Sequence, residues 1–240
     1  MARSGYISLL QPQDRRSSAA GDSKEAVAAR RRLLDAGVGR AAIDAVVSHA
    51  PASKRPLVVV DLGCGSGELL GELAVARDVC GAGIDLSTAA AEAAARRFPL
   101  LTWVVANADR RLPLLDASLD LVLSLNGRRN PAECRRVLAS NGTLIVAVPA
   151  PDDLIELRAE VQGKGVPRDR VDAVLAEHAG HFALVERFTV RSRHQLEGAA
   201  LRDLLTGSYR GRRASMAERA KELDTLDVTA ATDVSVLRRI

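Results

Sequence analysis

The pattern of apolar and polar positions changes character near residue 57. From Leu57 to Asp61 runs a short apolar stretch closed by an acid, as in a strand buried on both faces of a parallel sheet. Glycines follow, then a helical stretch to about Arg77. The alternation repeats. Strands are expected at Val79–Asp85, Leu101–Ala106, Leu119–Ser124 and Thr143–Val148, and helices at Ser87–Arg97 and Pro131–Leu138. Ser140-Asn141-Gly142 reads as a turn. Strands alternating with helices predict an α/β fold: a Rossmann-like, doubly wound and mainly parallel sheet flanked by helices.

The flanks are less regular. Residues 1–20 are polar without a sustained period and read as an extended arm. A helix is expected to start at Gly21-Asp22-Ser23-Lys24-Glu25, with Asp22 as its cap and Glu25 reaching back. It should run to about Asp35 and stop at Gly37, and a second helix should cover Arg40–His49 before Pro51 and Pro56. Toward the other end, Asp152–Val161, Arg168–His178 and Leu196–Leu205 read as helices, while Phe182–Arg191 and Asp227–Leu237 read as strands. The expected division is an N-terminal arm with helices (1–50) on the substrate side and a cofactor-binding domain (51–240).

Composition narrows the classes. With 47% hydrophobic residues the chain can bury a core, but only 2% are aromatic, so aliphatic side chains must build core and pocket alike. The net charge of +4 is carried almost wholly by arginine, which suits an RNA partner and is equally what a GC-rich coding sequence produces. Cys64, Cys80 and Cys134 lie far apart, and His178 and His181 have no nearby cysteine, so no metal site is expected and the two histidines read as solvated or capping residues. No apolar run approaches a membrane span, and the opening Met-Ala-Arg-Ser lacks a signal-peptide core. The expected location is the cytoplasm, away from membranes.

The chemistry concentrates after the first expected strand of the alternation. In Asp61-Leu62-Gly63-Cys64-Gly65-Ser66-Gly67, three glycines two apart allow a sharp turn and close approach of a ligand beyond the strand end. A dinucleotide fold places its third glycine one position later, where Glu68 stands here, and a carboxylate facing pyrophosphate is repulsive. S-adenosylmethionine presents an ammonium and a sulfonium, both of which suit the acidic loop. Asp85, with Leu86 beside it, ends the next strand and reads either as a ribose ligand or as a helix cap, a role Ser87 fills better. Asn107-Ala108-Asp109 reads as an adenine-binding loop or a plain turn. Asn126-Gly127 marks where the methyl group should emerge, or a second turn.

These residues, taken with others nearer the start, resemble the 23S ribosomal RNA guanine-N1 methyltransferases, a family of housekeeping and macrolide-resistance enzymes. The general methyltransferase likeness rests on the glycine loop and Asp85. The closer one rests on Gly5-Tyr6-Ile7-Ser8-Leu9-Leu10, Gly21-Asp22-Ser23, Ala29-Arg30-Arg31 and Leu34-Asp35-Ala36-Gly37, in the family's order and spacing. The resemblance implies adenosylmethionine as cofactor and ribosomal RNA as partner. It also implies a zinc-binding module ahead of the Gly-Tyr arm, which this sequence does not contain. On the substrate side, Asn126-Gly127-Arg128-Arg129 stands where the family tends to have an aromatic-Ala-Pro stretch. Asp153 stands in place of a histidine beside the cofactor, and Gly207-Ser208-Tyr209 in place of a Met-Thr-Pro element.

Three functions follow as expectations: a guanine-N1 methyltransferase of ribosomal RNA, a methyltransferase for a small-molecule acceptor on the same fold, and a non-catalytic cofactor-binding protein. For RNA, phosphates would fall to Arg15, Arg16, Arg30, Arg31, Arg128, Arg129, Arg210, Arg212 and Arg213, and stacking to Tyr6 and Tyr209. Removing the guanine N1 proton calls for a base. Asp22 and Asp153 are the acids to test, although both also read as helix caps, and the sequence assigns no catalytic residue. It leaves the acceptor atom open, and homodimer formation too.

Overall fold

The computed structural model describes residues 4–11, 14, 21–162, 165–167, 169–207 and 224–240. In chain order the elements are β1 (Ile7–Ser8), α1 (Lys24–Asp35), α2 (Arg40–Ser48), β2 (Leu57–Leu62), α3 (Glu68–Ala76), β3 (Val79–Asp85), α4 (Thr88–Arg97) and β4 (Thr102–Val105). Then come β5 (Leu119–Leu125), α5 (Pro131–Val137), β6 (Leu138–Pro149), α6 (Ile155–Gln162), α7 (Val171–His178), β7 (Phe182–Glu197), α8 (Gly198–Gly207) and β8 (Thr225–Arg239). They build one eight-stranded sheet in the order β1-β4-β3-β2-β5-β6-β8-β7. β1 to β6 run parallel, while β8 is antiparallel to both β6 and β7. This is the expected doubly wound α/β sheet.

The parallel centre is apolar because helices cover both of its faces. On one face Val59, Leu121, Leu123 and Ile145 pack with Ile43, Val46 and Leu70. On the other, Val60, Leu62, Val122 and Val146 pack with Cys134, Val137 and Val171. A smaller third core joins α1, α8 and the start of β8 through Leu33, Leu201, Leu204 and Val228.

Local chemistry sets most boundaries. Ser87 caps α4 through Ala90 N–H, as expected, and Asn130 caps α5 ahead of Pro131. The cap of α1 is Ser23, whose hydroxyl accepts from Ala26 N–H; Asp22 is instead drawn into an ion pair with Arg30. Ser140-Asn141-Gly142 is not a free turn but lies inside β6, where pairing with β5 jumps from Leu119↔Leu138 to Leu121↔Thr143. The arm contributes the edge strand β1, a two-residue pairing onto β4 with no pattern of its own. Arg15, Arg16, Ser208, Tyr209, Arg210, Arg212 and Arg213 lie outside the described residues. Among the described residues, no helix is long and apolar enough to cross a membrane.

Candidate active site

The strand order reverses direction at β2, which lies between β3 and β5, so a crevice opens beyond its carboxyl end. The loop there turns at Gly63, Gly65 and Gly67, all with positive φ, and Gly67 is the N-cap of α3. Gly63 and Cys64 both donate to the Ile84 carbonyl, at 2.8 and 3.2 Å, which fixes the loop to the end of β3. Below the loop a β-carbon on Gly67 would stand 2.4 Å from the Trp103 ring, so the indole is its floor. Gly65 is the opposite case. Its φ is +54°, and a β-carbon there would meet nothing within 4 Å: this backbone faces open space.

Carboxylates surround that opening. Asp85 accepts from Gly65 N–H at 2.9 Å and from Ser87 N–H at 2.7 Å, joining the glycine loop to the turn that starts α4. Burial raises its pKa against those two hydrogen bonds. Asp61 is 1% exposed, and its Oδ1 has no partner. Burial, then Asp85 and Glu68, push its pKa up to about 8. Glu68 itself accepts from the Ser66 hydroxyl at 2.8 Å and pairs with Arg97 at 3.1 Å. A buried carboxylate oxygen without a donor, next to an open stretch of backbone, fits a cationic ligand such as adenosylmethionine and disfavours a pyrophosphate.

Leu86 is half-buried beside Asp85, and Ala108 belongs to the core below the rim. The Asn107 amide donates to Asp14 at 3.2 Å, its carbonyl accepts from Asp109 N–H at 3.0 Å, and Asp109 pairs with Arg128 at 2.6 Å. The loop thus follows the end of β4, with both polar side chains engaged by protein. Asn126 has φ +57° and donates to the Ala147 carbonyl at 2.8 Å, placing its turn between the ends of β5 and β6. The N-terminal segment closes the other side: Ser87 Oγ donates to the Asp22 carbonyl at 2.7 Å, and Gly21 lies flat on Ser87.

Several expectations change. Arg30 and Arg31 pair with Asp22 and Asp35, Arg128 pairs with Asp109, and Arg129 is largely buried with an unpartnered Nε, so Arg129 does not form part of an exposed phosphate surface. Tyr6 packs against the core. His178 is neither solvated nor a cap: it is 1% exposed, its Nδ1 lies 2.7 Å from the Val174 carbonyl, and burial lowers its pKa. Among the described residues no group of three or more potential ligands could hold a metal. Asp153 Oδ1 accepts from Ala231 N–H at 3.1 Å. Sequence reasoning missed Asp14 at the rim and Trp103 beneath the loop; of these only the lone tryptophan in an aliphatic chain carried a signal.

Comparison with known proteins agrees with this geometry. A family model described as a methyltransferase domain matches residues 59–142. The 23S rRNA (guanine(748)-N(1))-methyltransferase of Streptomyces fradiae is 35% identical over 206 residues, covering 84% of this chain and 72% of that protein. YxjB of Bacillus subtilis (strain 168), provisionally named a 23S rRNA guanine-N1 methyltransferase, is 33% identical over 202 residues, 81% of this chain and 67% of its own. Among solved structures, an S-adenosylmethionine-dependent methyltransferase from Thiobacillus denitrificans in complex with S-adenosylhomocysteine superposes with a TM-score of 0.53 at 18% identity. That match covers 82% of this chain and 90% of the other.

Proposed function

This chain belongs to the family of the 23S rRNA (guanine-N1)-methyltransferases, and from that premise we propose that it methylates N1 of a guanine in 23S ribosomal RNA. That it is an S-adenosylmethionine-dependent methyltransferase follows from the methyltransferase domain and the relatives together. The acceptor reading rests on one observation: more than half of the 206 residues matched at 35% identity must lie outside the generic domain at 59–142. The likeness therefore extends to the parts of the chain that would meet an acceptor.

The residues divide the work. Asp61 supplies the buried negative charge for the cofactor's cationic end, Gly65 lets it approach the backbone, and Asp85 fixes the loop beside the ribose. Bound there, adenosylmethionine supplies an activated methyl group. Half-buried Leu86 gives the rim an apolar part over a core that includes Ala108 and Leu112, and Asn126-Gly127 borders the acceptor side. Holding nucleophile and methyl carbon in line is the main help such a site gives. The two acids considered as bases are both engaged: Asp22 with Arg30, and Asp153 with the backbone of Ala231.

A small-molecule acceptor is favoured by one fact, the 2% aromatic content, which offers little for a flipped base to stack on. Radiolabelled methyl transfer, offering ribosomal RNA and small-metabolite extracts in parallel, separates the two. The expected outcome is label in 23S rRNA, with reverse transcriptase halted at the methylated guanine because its pairing edge is blocked. Label in the metabolite extract alone would reject the RNA reading.

A further inference from the structure

β6 ends at Pro149, whose partner on β8 is Thr232. Beyond that point β7 and β8 continue as a two-stranded ribbon of seven further pairs, from Arg191↔Ala231 to Glu197↔Thr225. At about 3.3 Å per residue the ribbon overhangs the sheet by roughly 20 Å. The overhang lies past the carboxyl end of the parallel strands, the same rim that carries the glycine loop. Between the ribbon and the segment that follows β6 lies an open groove of about 270 Å³, lined by Asp152, Arg191, Ser192, Arg193 and Thr229.

The groove has a particular charge arrangement. Alternate residues of a strand share a face, so Arg187, Arg191 and Arg193 project to the same side of β7. Arg187 pairs with Asp172 at 2.9 Å. Arg191 gives Nε and Nη2 to Asp152, at 2.8 and 3.3 Å, which holds its guanidinium in place at the groove wall. Glu156 takes the Thr229 N–H at 3.0 Å and hydroxyl at 2.6 Å; against burial, those bonds and then the nearby Arg193 charge hold its pKa low, so Arg193 faces a carboxylate already bound to Thr229. Arg193 is exposed, and it donates no hydrogen bond to any described residue. A planar cation that hydrogen-bonds no described residue, beside a second guanidinium fixed by an acid, matches a phosphate rather than an apolar ligand.

We propose that this groove is a phosphate subsite for the RNA acceptor, with Arg193 as its principal donor and Arg191 as the second. The proposal rests on the RNA reading given above. It places the backbone of the acceptor along the β7–β8 ribbon while the target base enters the crevice next to the glycine loop.

The test is titration of a labelled 23S rRNA hairpin against the whole protein over a range of salt, with R193Q and R187Q compared to the parent. R193Q should bind about tenfold more weakly, with the logarithmic salt slope reduced by about one, the signature of one lost phosphate contact. R187Q, already neutralised by Asp172 and outside the groove, should bind as the parent does. Adenosylhomocysteine affinity, measured on the same samples, should be unchanged in both, which shows that the variants are folded. Equal losses in R193Q and R187Q, or none in R193Q, would overturn the subsite while leaving the RNA reading in place. A parent protein that neither binds nor methylates RNA would overturn both. Arg193→Lys should recover part of the affinity but not all, since an ammonium lacks the guanidinium's fork.

Discussion

Gly63 and Gly127 touch through their backbones: a β-carbon placed on Gly63 would stand 2.5 Å from the Gly127 α-carbon. The reverse placement is tighter still, since a β-carbon on Gly127 would stand 2.0 Å from the Leu62 carbonyl oxygen. The glycine loop and the Asn126-Gly127 turn are therefore one packed unit.

Gly127→Ala should drive that unit apart. Overpacking against backbone costs about 1–3 kcal/mol, so a drop in thermal midpoint is expected together with weaker adenosylhomocysteine binding. Gly65→Ala, which meets no neighbour, should cost only the strain of its positive φ, about 1–2 kcal/mol at most. Calorimetry and thermal melts on both variants check this. Equal destabilisation by the two would contradict the contact.

Asp61 makes stability and cofactor affinity depend on pH in opposite senses. Its carboxyl titrates at about 8 in the folded protein, against an ordinary value of 3.8. The folded state thus holds the proton more tightly than the unfolded chain. Its stabilising contribution is full below the lower value and is lost as pH rises through the upper one. The cofactor-free protein is expected to lose thermal stability on going from about pH 6 to about pH 8, and Asp61→Asn to lose less. A cationic ligand favours the ionised form, so binding near neutrality should release a proton. Binding enthalpies measured in two buffers of different ionisation heat will show that release in the parent protein and not in D61N. Buffer-independent heats in the parent would count against the assignment.

Arg129 is expected to act on rate rather than on RNA affinity. Its Nη1 donates to the Gly127 carbonyl at 3.0 Å, the same oxygen that takes the Ser124 hydroxyl at 3.2 Å. Burial pulls its pKa down, and Glu177 is the acid that offsets this from a distance. A buried cation without a close acid can be replaced by an apolar side chain at little cost to stability. Arg129→Met should therefore keep its thermal midpoint within the equivalent of about 1–2 kcal/mol. Its kcat should fall about tenfold while KM for adenosylmethionine moves less than about twofold, because the turn is misplaced rather than the cofactor loop. An unchanged kcat with a lowered salt slope for RNA would return Arg129 to the phosphate surface.

The parallel half of the fold was readable in the chain because burial on both faces leaves uninterrupted apolar runs; β3 occupies the expected Val79–Asp85. Periodicity says nothing about pairings that rest on backbone alone. β1 is two residues long and is held by its partner strand, so no spacing in the arm announces it. Caps were half legible for a similar reason. Asp22 and Ser23 are both good capping types, and Arg30, eight residues on, decides between them by drawing Asp22 away. In the site, the glycine spacing and the acids Asp61 and Asp85 could be read because they are local. The engagement of Asn107 by Asp14 could not, since 93 residues separate them.

Trp103 is the chain's single tryptophan, and it lies beneath the glycine loop, touching the space below Gly67 and Gly83 while its Nε1 donates to the Phe98 carbonyl at 3.0 Å. All indole emission from this protein therefore arises at one point, directly under the glycine bend. A dry indole emits toward the blue, and loosening of the bend would admit water and shift the emission to the red. The molecule carries its own optical gauge of glycine-loop order, readable in solution without a label.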